Sequence, residues 1–195
     1  AGTYIIQKDS LLVTSNLLIR NLTLDGNNIS SFLLTLNGNS YDYILENLVF
    51  MRGKANGPQC YLVECHNLVI RNCAFENPAS EGDLVAITGS MITVDGCFFT
   101  RTSIPGGGLT SGRLDECKII NCSWEDYNGY GAISLENFGS FDNISIIGNS
   151  FRNARKGSAI LTVVDSTPSG ASAGHTHNRI SIIGNHLINT GSIQL

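Results

Sequence analysis

Arg101, Arg155 and Lys156 carry cationic groups that can neutralise a carboxylate, and Tyr127 carries a phenol that can donate a proton. Together they could open a uronate chain by elimination: a cation holds the sugar carboxylate, a base takes the adjacent proton, and Tyr127 or Tyr130 returns one to the leaving oxygen. Lys54, Asp83, Asp126 and Tyr130 suit carbohydrate binding, because rings stack on sugar faces and charged groups hold hydroxyls or carboxylates. Glu81, Asp83, Glu125 and Asp126 offer oxygen ligands to a calcium ion. Hydrolysis would need two carboxylates across the bond, and Asp83 and Asp126 are expected about 10 Å apart, slightly beyond an inverting pair. His175 and His177 alternate as His-Thr-His, a spacing for a metal on an extended strand, but no third ligand lies near them. The plain alternative for all these residues is a set of solvated loops.

Those residues are positioned by a repeat. Asn21, Asn47, Asn72, Gly96, Asn121, Gly148 and Gly184 follow one another at gaps of 26, 25, 24, 25, 27 and 36 residues. Two places before each sits an aliphatic, from Ile19 to Ile182, and three places after each sits a large apolar residue: Leu24, Phe50, Phe75, Phe99, Trp124, Phe151, Leu187. Asn and Gly tolerate a left-handed backbone most cheaply. A left-handed residue recurring about every 25 residues between short apolar stretches describes a chain winding into a coil.

Each winding has three stretches. In Asn67–Arg71 alternation points Leu68 and Ile70 inward, and Val69 and Arg71 outward. After Asn72, Cys73 and Phe75 point inward, and a third strand such as Asp83–Ile87 follows a polar loop. Parallel pairing of successive windings about 4.8 Å apart predicts a rod of about seven coils and about 30 Å. No long segment has a helical period. The expected fold is an all-β, single-stranded, right-handed parallel β-helix spanning 1–195 as one domain, itself a candidate piece of a longer protein, with a loop insertion at 165–177.

The segments Leu68-Val69-Ile70-Arg71-Asn72-Cys73-Ala74-Phe75 and Ile144-Ser145-Ile146-Ile147-Gly148-Asn149-Ser150-Phe151 resemble coils of the pectin-lyase-like superfamily, as does the opening Ala1-Gly2-Thr3-Tyr4 followed by Leu17-Leu18-Ile19. The resemblance covers essentially the whole chain. It implies the fold strongly and the function weakly, because that scaffold hosts lyases, hydrolases, epimerases, phage tailspikes and binding proteins. It implies calcium as the neutralising ion of many lyases. The hydrolase motifs Asn-Thr-Asp, Asp-Asp and Gly-His-Gly and the epimerase motif Asp-Pro-His-Glu do not occur. Three functions follow as expectations: a polysaccharide lyase acting on acidic glycans, a non-catalytic glycan-binding or adhesive surface module, and the shaft of a trimeric phage tailspike. The implied partner is a polysaccharide, and the implied location is extracellular or cell-surface, with the periplasm as a variant.

Composition bounds the remaining partners. The net charge of −4 argues against nucleic acid, and no run of about 18 apolar residues could span a membrane. Just after each aliphatic marker the outward residue runs Arg20, Glu46, Arg71, Asp95, Ile120, Ile147, Ile183. The first four alternate in sign, a ladder that supports stacked strands. The three isoleucines would form an exposed stripe. Either the Asp165–His177 insertion covers it, or a second copy or another domain does. Cys73, Cys97 and Cys122 each follow a marker, with Asn149 and Asn185 continuing their column, which predicts a stack of small buried side chains. The sequons at Asn21, Asn28, Asn121 and Asn143 are expected from the turn role of asparagine.

Overall fold

Short runs of alternating apolar and polar residues, separated by Asn and Gly, become strands that pair in parallel with their equivalents one winding later. The computed structural model describes residues 4–7, 14–29, 32–53, 58–76, 84–100, 109–127, 131–136, 141–154, 159–164, 177–190 and 193–194. All regular elements among them are strands, and they form a parallel β-solenoid. One sheet has eleven strands: β1 (Tyr4–Gln7), β2 (Thr14–Arg20), β4 (Phe32–Glu46), β6 (Cys60–Arg71), β8 (Val85–Asp95), β10 (Leu109–Ile120), β12 (Gly131–Glu136), β13 (Phe141–Ile147), β15 (Ala159–Val164), β16 (His177–Ile183) and β18 (Ile193–Gln194). The other has seven: β3 (Thr23–Asp25), β5 (Val49–Met51), β7 (Ala74–Glu76), β9 (Phe98–Thr100), β11 (Ser123–Glu125), β14 (Ser150–Arg152) and β17 (His186–Ile188).

All seven markers have positive φ, from 53° at Asn47 and Asn72 to 66° at Gly148. Each turns the chain from a strand of the larger sheet into a short strand of the smaller one. The four sequon asparagines also have positive φ, as their turn role requires. A second left-handed column lies five residues before the first: Asn16, Asp42, Asn67, Met91, Glu116, Asn143 and Arg179, with φ between 53° and 59°. The sequence reading placed strands on either side of this column and missed the column itself. In β4, β6, β8 and β10 the two flanking stretches fuse into one long strand, whose pairing keeps its register across the bend but shifts register a few residues before it. The bend recurs at the same place in each winding, so the hydrogen-bond ladder bends as a unit. Asp, Met, Glu and Arg occupy four of these seven positions, which hid the column from a search for Asn and Gly.

The core lies between the two sheets. Leu68, Ile70, Cys73 and Phe75 are buried as alternation requires, while Val69 is half-buried and Arg71 exposed. Phe50, Phe75, Phe99, Trp124 and Phe151 stack in one column with ring centroids 4.7–5.0 Å apart, one ring per winding. Each ring buries a large apolar area and adds an offset stacking contact to the next.

A ladder of inward side chains runs beside the marker bends. Cys97 N–H donates to Cys122 Sγ at 3.4 Å, Cys122 N–H to Asn149 Oδ1 at 2.8 Å, and Asn149 N–H to Asn185 Oδ1 at 2.9 Å. The amides return the favour: Asn149 Nδ2 donates to Ile119 O and Asn185 Nδ2 to Ile146 O, both at 2.9 Å. Cys73, Cys97 and Cys122 are buried thiols that reach carbonyls in the same way, as Cys122 Sγ does to Ile120 O at 3.2 Å. A buried N–H that the bend turns away from strand pairing finds its acceptor here.

On the outer face the charge ladder forms as expected. Arg20, Glu46, Arg71 and Asp95 are in register, and Arg71 Nε reaches Glu46 Oε1 at 2.8 Å. Ile120, Ile147 and Ile183 continue that column, with Ile147 37% and Ile183 57% exposed. Residues 165–176, one of the expected covers, lie outside the described residues.

Candidate functional site

Few of the residues singled out for chemistry fall among the described residues. Lys54, Glu81, Asp83, Arg101, Tyr130, Arg155, Lys156 and His175 lie outside the described residues, as does the side chain of His177 at the start of β16. Glu125, Asp126 and Tyr127 are described. Glu125 ends β11 and is in register with Arg152 of β14. Asp126 is exposed, with φ 55°, and its N–H donates to Arg152 O at 3.2 Å. It belongs to a third left-handed column with Arg52, Asn153 and Asn189. At this corner Arg52 forms an ion pair with Asp25, and that hydrogen bond holds the Asp25 carboxyl below the usual carboxylate range.

Tyr127 does not stand on the loop surface. It is 0% exposed and packs in the core, at the position that Gly53 and Ala154 occupy in other windings. The left-handed turn at Asp126 sends the next residue inward, so the phenol expected as a proton donor is enclosed by the solenoid. Among the described residues no three His, Cys, Asp or Glu side chains are grouped to hold a metal ion. Glu125 and Asp126 form the described half of the expected calcium set.

Another row of side chains, which the sequence reading passed over, is assembled on the outer face of the long strands. Ser15, Tyr41, His66, Ser90, Asp115, Asp142 and Asn178 are in register across β2, β4, β6, β8, β10, β13 and β16. Tyr41 is 42% exposed and stacks on the His66 ring, with centroids 5.1 Å apart and planes 23° from parallel. His66 Nδ1 and Ser90 Oγ share a hydrogen bond of 2.7 Å. Further along, Arg179 pairs with Asp142 at 3.1 Å. Each member directly precedes a residue of the second left-handed column, which the sequence alone did not reveal.

Immediately after Tyr41 and His66 come Asp42 and Asn67, which line a groove of about 290 Å³ on this face. Its other described walls include Asn16 and the outward aliphatics Leu18, Ile44 and Val69. Asn67 Nδ2 donates to Asp42 Oδ1 at 2.5 Å. This surface therefore combines an aromatic platform, a polar wall and an apolar floor on paired strands. Among the described residues, no helix is long and apolar enough to cross a membrane. No protein-family model matches the chain, and no curated protein matches it either.

Proposed function

We propose that this chain is a carbohydrate-binding β-solenoid of the pectin-lyase-like kind, an extracellular or cell-surface module that holds a glycan against its outer face without cleaving it. The Tyr41–His66 stack, with Tyr41 exposed and His66 half-buried, carries this reading. An aromatic ring offers the C–H face of a sugar a large contact at small entropic cost, and Ser15, Ser90 and Asp115 in the same row offer hydroxyl and carboxylate partners. Parallel pairing fixes the spacing of these groups before a ligand arrives, which lowers the ordering cost of binding. Tyr127 supports binding over elimination, because a proton donor must come within hydrogen-bond reach of the sugar and this phenol is enclosed in the core.

A glycan array spanning neutral and uronate oligosaccharides tests the proposal. Reproducible retention of a glycan class, with no unsaturated product released from uronate polysaccharides with or without calcium, is the expected result. Failure to retain any glycan would overturn the reading. Release of unsaturated product would replace it with a lyase.

A further inference from the structure

The groove beside the Tyr41–His66 stack has a chemistry that selects among glycans. Asn16, Asp42 and Asn67 form one wall, and all three have left-handed φ, of 58°, 59° and 54°. Each sits between residues paired across the strands, so the three side chains stack along the solenoid. Two places further on, Leu18, Ile44 and Val69 are mutually in register and form the floor. Leu18 is 49% exposed. The bend at the left-handed residues sets the polar wall against the aliphatic floor, and the same three windings supply both.

We propose that this groove is a binding subsite for a short stretch of neutral glycan. The inference rests on the carbohydrate-binding reading above and assigns it a place and a ligand class. A neutral sugar has a hydroxyl edge and a C–H face. The two carboxamides can donate to and accept from hydroxyls, and a carboxylate has capacity for several donors, of which Asn67 Nδ2 uses one at Asp42. The aliphatic floor takes the C–H face or a methyl substituent. The volume of about 290 Å³ is at the small end of ligand sites. Two strand spacings make the wall about 10 Å long, the reach of a short oligosaccharide segment.

Charge disfavours an acidic sugar against the wall. Asp42 lies in that wall, while the charged row two places beyond the floor, Arg20, Glu46 and Arg71, stands outside the groove lining, with Glu46 tied to Arg71. A uronate carboxylate would meet Asp42 with no cation in the wall to offset it. An extended peptide finds no partner inside the groove, because β4 there pairs on both sides, with β2 and β6; strand addition could use only the outer edge of β2. The groove ends at β8 and β10, where the floor positions become Thr93 and Lys118 and the wall positions Met91 and Glu116.

The test uses 15N-labelled protein titrated separately with maltotriose, cellotriose, chitotriose, a fucosylated trisaccharide and trigalacturonate. At least one neutral probe is expected to shift the side-chain amide signals of Asn16 and Asn67, while trigalacturonate leaves them in place. Leu18→Gln and Asp42→Asn should each weaken that probe at least tenfold, with unchanged thermal midpoints. Asparagine keeps the left-handed position comfortable, so Asp42→Asn removes the charge without straining the bend. Lys118→Ala, outside the groove, should bind as the parent does. If a neutral probe binds but its shifts map elsewhere, or the two groove variants bind normally, the subsite is wrong and the carbohydrate-binding reading stands. If trigalacturonate shifts Asn16 and Asn67, the neutral assignment is wrong. If the array and all five probes show no binding, both readings fall together.

Discussion

Asn149→Ala removes one rung of the interior ladder, and its cost follows from the bonds it breaks. Asn149 is buried; its Oδ1 accepts Cys122 N–H at 2.8 Å and its Nδ2 donates to Ile119 O at 2.9 Å. Alanine leaves Cys122 N–H without this acceptor inside the solenoid, at about 1–3 kcal/mol, and deletes a second bond of about 1 kcal/mol at Ile119 O; the third, from Nδ2 to Asn185 Oδ1 at 3.0 Å, adds little because Asn185 Oδ1 keeps the Asn149 N–H. The expected loss is therefore about 2–4 kcal/mol. Asn149→Cys should cost at most about half as much, because it restores the arrangement of the preceding windings. There Cys122 Sγ accepts Cys97 N–H at 3.4 Å and reaches Ile120 O at 3.2 Å. Urea denaturation followed by tryptophan fluorescence reads both variants. Trp124 is the sole tryptophan, and the ring stacked 4.8 Å from it belongs to Phe151, two residues after Asn149. Equal stability of the alanine and cysteine variants, or an alanine variant within about 0.5 kcal/mol of the parent, would refute the claim that the ladder satisfies backbone groups at the bend.

Asn72→Val, at φ 53°, should lose about 1–2 kcal/mol through left-handed strain, and Asn72→Gly should lose only a few tenths; chemical denaturation of the pair separates strain from side-chain loss. Gly89→Ala should fail to give a stable fold, because its Cβ would lie 1.7 Å from the Cys65 carbonyl oxygen at a φ of 142°, and a soluble variant melting within a few degrees of the parent would contradict this geometry. Trp124→Phe should cost less than about 1.5 kcal/mol by circular-dichroism melting, since Phe fills this column in the neighbouring windings and the buried Trp124 Nε1 has no acceptor among the described residues. Alkaline pH should destabilise the protein: Cys97 is pushed up to about 12 by its hydrogen bond with Cys122 and by burial, and Cys117 to about 12 by burial. The unfolded thiols lose protons first, so this contribution is constant below about pH 9 and declines as pH rises to about 12. Urea midpoints across that window should fall, and less steeply in Cys117→Ala.

Periodicity was enough to identify the solenoid, because a parallel stack repeats its environment once per winding and each environment selects a residue type. Asn or Gly at the markers, aromatics three places on and aliphatics two places before report bend, core column and inward strand respectively. The cysteine and asparagine column was visible for the same reason, although its role as a hydrogen-bond ladder was not. That role depends on which backbone groups the bend leaves unpaired, a matter of three-dimensional geometry.

The candidate site was far less legible. Tyr127 looked like a loop residue because its neighbours are polar, yet the left-handed turn at Asp126 directs it into the core. A single φ decides which way the following side chain points, and Asp does not announce that φ as Gly does. Tyr41 and His66 lie 25 residues apart, and neither belongs to a local motif. Only the register of β4 on β6 brings their rings together, and only the second left-handed column creases the sheet into a groove beside them. By itself, then, the sequence determined the winding and the inward columns, since burial constrains residue type at every turn. The tertiary structure decided which outward side chains meet, because solvent-facing positions tolerate most residues and so leave little trace of their neighbours in the chain.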